Sequence, residues 1–363
     1  VQAGPVQGVT VPRPAIPDAI QQRLTSAHPL QPCWDLQLAC LGADALQVAL
    51  EHAFFDHLTS PASAASLAGH LDLNTRSTGY VLELLWGLGL LGRDDQQPPH
   101  YRNLPVADHY LRADARTYCG DALLFRHRVT RQTGNQLSDY LRNGVPRTPA
   151  ASAAIARGWA DAARLQIAQE QRAVTREMAC VLVESLPEAP GLRRLLDLGG
   201  GPGLVAIALA EQLPALEGVV FDFPPAAEVA RENIEAAGLG QRLEAIGGDL
   251  DDDDIGAGYD LIWCSSVLHF VHDLPATLHR LLAALRPGGV LLCCQAEVPT
   301  ERQFAAQMLP YYLHMRLQGR HVLGEGELAR VLESIGFCAV EQLNGLRFPV
   351  TPVNAVIARK PQE

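Results

Sequence analysis

The chain has 363 residues, with 40 acidic against 29 basic side chains for a formal charge of −11, and is 48% hydrophobic. At roughly 150 residues per domain this is about two domains with ample apolar material for a core, which excludes a largely disordered protein. The acidic balance disfavours a general binder of nucleic acid or anionic membrane, because such affinity needs clustered Lys and Arg, and here Lys360 is the lone lysine.

The eight cysteines, Cys33, Cys40, Cys119, Cys180, Cys264, Cys293, Cys294 and Cys338, are scattered and form no C-x-x-C pair. That spacing argues against a disulfide scaffold or zinc knuckle and for buried, reduced thiols. No metal-binding set is expected. There is no apolar run of membrane-spanning length, and Val1 to Pro5 lacks a basic-then-apolar leader pattern. A soluble cytoplasmic protein is expected.

Residues 1–17, with Pro5, Pro12, Pro14 and Pro17, read as a flexible arm. Residues 18–110 read as a first domain. Apolar spacing predicts a helix from Trp34 to Leu58, a second starting at Thr59-Ser60-Pro61, and a third from Arg76 to Leu91 capped by Leu73-Asn74-Thr75. Gly92 to Pro99 is rich in turn residues between short extended pieces. Helix, turn, helix and hairpin make a winged-helix outline. Such an outline can bind DNA, but the candidate recognition helix from Arg76 to Leu91 is mostly apolar with Arg76 as its one cation, which suits burial against another subunit better.

Residues 111–185 read as a helical linker, broken near Gly144-Val145-Pro146. Arg126-His127-Arg128 and Arg131 offer either an anion-receiving cluster or a solvated helix surface. Gln166 to Arg176 is polar on one face and suits the lining of a site between the two halves.

From residue 186 the pattern changes to strands alternating with helices, which predicts a parallel α/β sheet with right-handed crossovers. Arg194 to Leu198 runs into Gly199-Gly200-Gly201-Pro202-Gly203; later strands end at Asp222, at Gly248-Asp249 and at Cys264-Ser265. Ligands of such sheets bind outside the carboxyl ends of the strands, where glycines admit close backbone approach. Asp222, nineteen positions after Gly203, is placed to hold ribose hydroxyls. Asp249 can accept from an adenine amino group, with Leu250 against the ring. Two cofactors fit this arrangement. Gly201 to Ala206 matches the dinucleotide fingerprint G-x-G-x-x-A, which alone is weak. Asp197 before the turn, the Gly248-Asp249 pair and the Pro287-Gly288-Gly289 turn favour S-adenosylmethionine, because they follow the motif order of class I methyltransferases.

With these motifs in place, the chain resembles the S-adenosylmethionine-dependent small-molecule O-methyltransferases of plant and bacterial secondary metabolism. The resemblance implies a Rossmann-like catalytic domain over 186–363, preceded by a winged-helix dimerisation domain, and hence a homodimer. It implies cofactor contacts from Asp197, Gly199, Gly201, Gly203, Asp222, Gly248, Asp249, Leu250, Cys264 and Ser265. His269, in Val267-Leu268-His269-Phe270-Val271-His272-Asp273, falls on the family's catalytic base, although Phe270 and Val271 replace the Asp and Trp that usually follow. Glu297 falls where the family places a carboxylate beside that histidine, and Glu327 near a second. Tyr311 to His321 lies in the region that builds the acceptor pocket. The implied reaction is methyl transfer to a hydroxyl of a small metabolite without a metal. Nitrogen or sulfur acceptors, an NAD-dependent oxidoreductase and a cofactor-binding winged-helix regulator remain as alternatives. The run Asp249 to Asp254 reads as a solvated acidic loop rather than a metal tract.

Overall fold

The structure, a computed structural model, describes residues 17–145 and 152–362. The predicted arm, apart from Pro17, and Pro146 of the predicted break lie outside the described residues.

The N-terminal unit runs α1 (Asp18–Thr25), α2 (Gln31–Glu51), α3 (Phe54–His57), β1 (Ala62–Ser63), α4 (Ala64–Leu71), α5 (Thr75–Gly87), β2 (Leu91–Arg93), β3 (His100–Asn103) and α6 (Pro105–Tyr110). The helix predicted as continuous to Leu58 breaks at Ala53, whose φ of 55° leaves the helical region. The next helix starts at Ala64, later than predicted, because Ala62 and Ser63 pair with Tyr101 and His100 of β3. Ser63 then caps α4 by accepting from the Ser66 amide, and Asn74 caps α5 by accepting from Ser77 at 3.0 Å. Leu91 leaves the third helix to begin β2, giving the antiparallel order β1-β3-β2.

Phe54, Phe55, Leu67, Leu82, Leu85 and Tyr101 form the core of this unit. A second apolar face stays uncovered: Trp34, Leu36, Leu38 and Leu41 on α2, and Tyr80, Leu84 and Trp86 on α5, are all exposed. A patch of this kind marks a surface that meets another chain.

Next come α7 (Gly120–Asn143) and a helical run of α8 (Ser152–Ala162), α9 (Ala168–Glu170) and α10 (Arg176–Glu184). Wide π turns at Ala163–Ile167 and Gln171–Thr175 join the last three without leaving helical backbone angles.

The remaining strands are β4 (Arg194–Leu198), β5 (Glu217–Asp222), β6 (Leu243–Gly247), β7 (Tyr259–Ser265), β8 (Leu285–Gln295), β9 (Glu297–Val298), β10 (Leu323–Gly324), β11 (Cys338–Leu346) and β12 (Val353–Arg359). Between them lie α11 (Leu204–Gln212), α12 (Pro224–Ala236), α13 (Leu274–Ala284), α14 (Arg302–Leu317) and α15 (Glu327–Ile335). Seven strands pair in the order β11-β12-β8-β7-β4-β5-β6. β4 to β8 pair in parallel, as the alternation of strands and helices predicts, and the sheet becomes mixed where β12 runs antiparallel to β8 and β11. The connection from β11 to β12 is too short for a crossover, so the pair must be antiparallel.

The pleat sends alternate residues to opposite cores. Leu195, Val220, Leu261 and Leu292 pack with α10, α11 and α12, while Leu196, Phe221, Ile262 and Leu291 pack with α13 and α15. Adjacent Cys293 and Cys294 thus enter different cores. All eight cysteines are free thiols, but Cys33, Cys40 and Cys338 are exposed, against the expectation of burial. No helix among the described residues is long and apolar enough to cross a membrane.

Candidate active site

The chain leaves β4 toward β5 on one side, while β7 and β8 lie on the other, so a crevice opens at the carboxyl ends of β4 and β7. A cavity of about 230 Å³ fills it.

At one end the wall is backbone and short acids. Gly199 and Gly201 have φ of 63° and 57°, which glycine adopts at little cost. A Cβ on Gly199 would lie 2.3 Å from Cγ2 of Val267. Asp222, at the end of β5, accepts from the Gly201 amide at 2.8 Å and the Phe223 amide at 2.7 Å; burial raises its pKa. Gly248, Asp249, Leu250 and Ser265 complete this end.

Three predicted cofactor contacts stand behind the wall. Asp197 is buried beneath the glycine turn and accepts from the Ala206 amide at 3.3 Å. Burial, and less strongly the charge of Asp222, push its pKa up to about 7. Gly203 begins α11, where a Cβ would meet Ala230 of α12 at 3.2 Å. Cys264 belongs to the core below the sheet, and its neighbour Ser265 reaches the cavity instead. None of the three lines the cavity. The acidic run is a turn held by its own side chains: Asp249 accepts from the Asp251 amide, Asp253 from the Asp249 amide and Asp254 from the Gly256 amide. Asp251 also pairs with exposed His272.

At the other end stands His269, 2% exposed, against Phe270 and the edge of Tyr312. Its Nδ1 is 2.6 Å from the side-chain amide of Gln295, and its Nε2 is buried with no hydrogen-bond partner among the described residues. Burial first, then the positive charge of Arg320 and the nearness of His314, lower the His269 pKa to about 3.

Glu297 makes no hydrogen bond to His269, which meets Gln295 in place of the expected carboxylate. Its carboxylate accepts from the amides of Gly326 and Leu328, both at 3.1 Å, and from Gln342 and Asn354, both at 2.9 Å. It ties α15 to β11 and β12. Glu327 accepts from the Gly324 amide at 2.8 Å and does not reach the cavity. Gln295 went unnoticed in the sequence, although a lone amide closing the apolar strand Val290 to Cys294 was a visible signal.

The helical run forms the facing wall. Gln166, Ile167, Glu170, Gln171 and Thr175 all line the cavity, and Gln171 clamps the glycine turn by donating to the Gly200 carbonyl and accepting from the Leu204 amide, both at 3.2 Å. Of the Arg126 cluster, only Arg126 reaches the cavity. It pairs bidentately with Glu170 at 2.9 and 2.8 Å, beneath the Tyr311 ring. His127 and Arg131 instead pair with Asp44 of α2. Trp159 packs edge-on against Phe270 at 4.8 Å between centroids.

A methyltransferase-domain profile matches residues 168–342, and an O-methyltransferase dimerisation-domain profile matches 34–113. The 3-hydroxy-5-methyl-1-naphthoate 3-O-methyltransferase of Streptomyces sahachiroi is 26% identical over 329 residues, covering 89% of this chain and 93% of that protein. The tetracenomycin polyketide synthesis 8-O-methyl transferase TcmO of Streptomyces glaucescens is 27% identical over 337 residues, covering 90% and 96%. Human N-acetylserotonin methyltransferase, solved in complex with SAM, superposes with a TM-score of 0.76 over 93% of this chain and 99% of that one, at 21% identity. Fold and site define a class I methyltransferase dependent on S-adenosylmethionine. The chain belongs to the O-methyltransferases of secondary-metabolite type that carry an N-terminal dimerisation domain.

Proposed function

We propose that the chain methylates a phenolic or enolic hydroxyl of a small metabolite, with His269 as the proton acceptor, and that it works as a homodimer through the exposed faces of α2 and α5. The observation that carries this reading is His269 itself: a cavity histidine with Nδ1 held by Gln295 and Nε2 buried without a partner.

The opposite end of the cavity fits the donor. Gly199 and Gly201 expose backbone where a Cβ is absent, and Asp222 and Asp249 retain oxygen lone pairs for hydroxyl and amino donors. S-adenosylmethionine supplies, when bound, a methyl group on a positively charged sulfur, already activated for displacement. What the protein adds is placement. Holding two reactants in line contributes about 7–11 kcal/mol. The Gln295 amide nitrogen stands 2.6 Å from Nδ1 and its oxygen has no partner among the described residues; with the amide turned by half a turn, that oxygen accepts from Nδ1–H and leaves Nε2 free to take the hydroxyl proton. Trp159, Phe270, Tyr311, Tyr312 and Met315 surround the acceptor space with apolar and aromatic surface, suited to a flat ring. The named acceptors of the relatives, a naphthoate and a tetracenomycin polyketide intermediate, are of this kind.

The test is His269→Ala in a labelled-methyl screen over small phenols, carboxylates, amines and thiols. S-adenosylhomocysteine affinity should stay within about threefold by calorimetry, while turnover falls by roughly 10²–10⁴. Unchanged turnover removes His269 from the chemistry. Transfer to amines or thiols in preference to phenols replaces the acceptor class.

A further inference from the structure

We propose that Gln295 is a positioning residue that holds His269 as a neutral ring, and that it thereby restricts the chain to acceptors whose hydroxyl is already acidic, such as an enol or phenol conjugated to a carbonyl group. The inference rests on the reading of His269 as the acceptor-side histidine and names the substrate class for that site.

A histidine gains basicity when the group at its second nitrogen carries negative charge, because that charge stabilises the imidazolium. At Nδ1 the structure places the amide of Gln295, 2.6 Å away, which orients the ring but brings no charge. The nearby carboxylate on the same stretch, Glu297, already receives four donors from Gly326, Leu328, Gln342 and Asn354. The other groups facing His269 do not replace it. Arg320 and His314, from the end of α14 and just beyond it, oppose a second positive charge, and Tyr312 of α14 and Phe270 offer ring surface. Glu170 across the cavity is matched by Arg126. Asp222 is engaged by backbone amides at the donor end.

The consequence concerns the proton. An ordinary phenol loses its proton near about pH 10, and burial holds the ring of His269 well below the usual histidine range, so transfer between the two is strongly uphill. A hydroxyl that ionises near neutrality narrows that gap by several orders of magnitude, so its proton can pass to Nε2 as an oxygen lone pair becomes free. That pair forms the new carbon–oxygen bond, the carbon–sulfur bond breaks, and the sulfur keeps its electrons as a neutral thioether.

The test uses the full chain saturated with S-adenosylhomocysteine, labelled with ¹⁵N-histidine and titrated by NMR as wild type, Gln295→Glu and Gln295→Leu. We expect wild-type His269 to stay neutral and in one tautomer down to pH 5. Gln295→Glu should raise its midpoint by at least one pH unit; Gln295→Leu should mix the tautomers without raising it. A wild-type midpoint between 6 and 7, or no rise in Gln295→Glu, overturns the proposal. In parallel, transfer is measured over 4-substituted phenols from 4-nitrophenol to 4-methoxyphenol. Wild type should favour the acidic end by roughly 10–10³-fold, and Gln295→Glu should flatten that preference at least tenfold. An even response, or turnover confined to the weakly acidic members, overturns the acceptor class, as does no turnover with any of them. Failure to bind S-adenosylhomocysteine defeats the methyltransferase reading itself, whereas binding with an ordinarily titrating histidine defeats only the role of Gln295.

Discussion

The two ends of the cavity are built by different rules. The donor end draws its wall from residues between Gly199 and Ser265, at the ends of the four neighbouring strands β7, β4, β5 and β6, and works largely through main-chain geometry and short acids. The acceptor end gathers Arg126, Trp159, Glu170, His269, Gln295 and Tyr311 from segments far apart in the chain, and works through side-chain pairs. The donor end is therefore constrained residue by residue, while the acceptor end is constrained pair by pair.

Gly199→Ala gives the largest expected effect. The new Cβ both occupies a left-handed conformation and meets Val267, two residues before His269, so both ends should suffer. A loss of about 3 kcal/mol in unfolding stability is expected, with weaker S-adenosylhomocysteine binding by calorimetry. An undisturbed protein would mean that the donor wall tolerates what its geometry forbids.

Arg126→Met should cost about 2–3 kcal/mol, because it strands Glu170 in the cavity wall, and Glu170→Met should do the same to Arg126. The double variant should recover part of either loss, measured by denaturant unfolding as a double-mutant cycle. Strict additivity would show that the two residues do not act as a pair.

The two ends also respond to pH with opposite sign. His269 has a folded pKa of about 3, below its unfolded 6.5, so its contribution is full above pH 6.5 and is lost as pH falls toward 3. Asp197 has a folded pKa of about 7, above its unfolded 3.8, so its contribution is full below 3.8 and is lost as pH rises through 7. His269→Gln should flatten the stability profile by about 1 kcal/mol between pH 6.5 and 5.5. Asp197→Asn should flatten the opposite trend between pH 4 and 7. Identical profiles in variant and parent would remove the assignment. The smallest effect belongs to Asp251→Asn, whose partner His272 is largely exposed: under about 1 kcal/mol in thermal unfolding.

The same contrast explains what was legible in the sequence. Gly199, Gly201, Asp222, Gly248 and Asp249 were readable because strand ends and tight turns demand particular residues at short spacing. Asp197, Gly203 and Cys264 were readable as members of the motif but not as wall or support, since that depends on which way the pleat turns them. His269 was found through resemblance. Its partner was not, because Gln295 and Glu297 are two positions apart and a strand gives no local sign of which one reaches a neighbour. Tyr311, Tyr312 and the Arg126 cluster stood out as candidates, but the match between Arg126 and Glu170 joins two helices that no periodicity links.

The wide turns at Ala163–Ile167 and Gln171–Thr175 give the facing wall a tuning device of its own. They hold Gln166, Glu170, Gln171 and Thr175 on one side by accommodating an extra residue per turn. Deleting a single residue from either turn would rewind that stretch to ordinary pitch, removing the widened turn while leaving the helix beyond it in register. A one-residue length change in this partition therefore reshapes the wall that faces the guest and, through Gln171, reaches the glycine turn opposite as well.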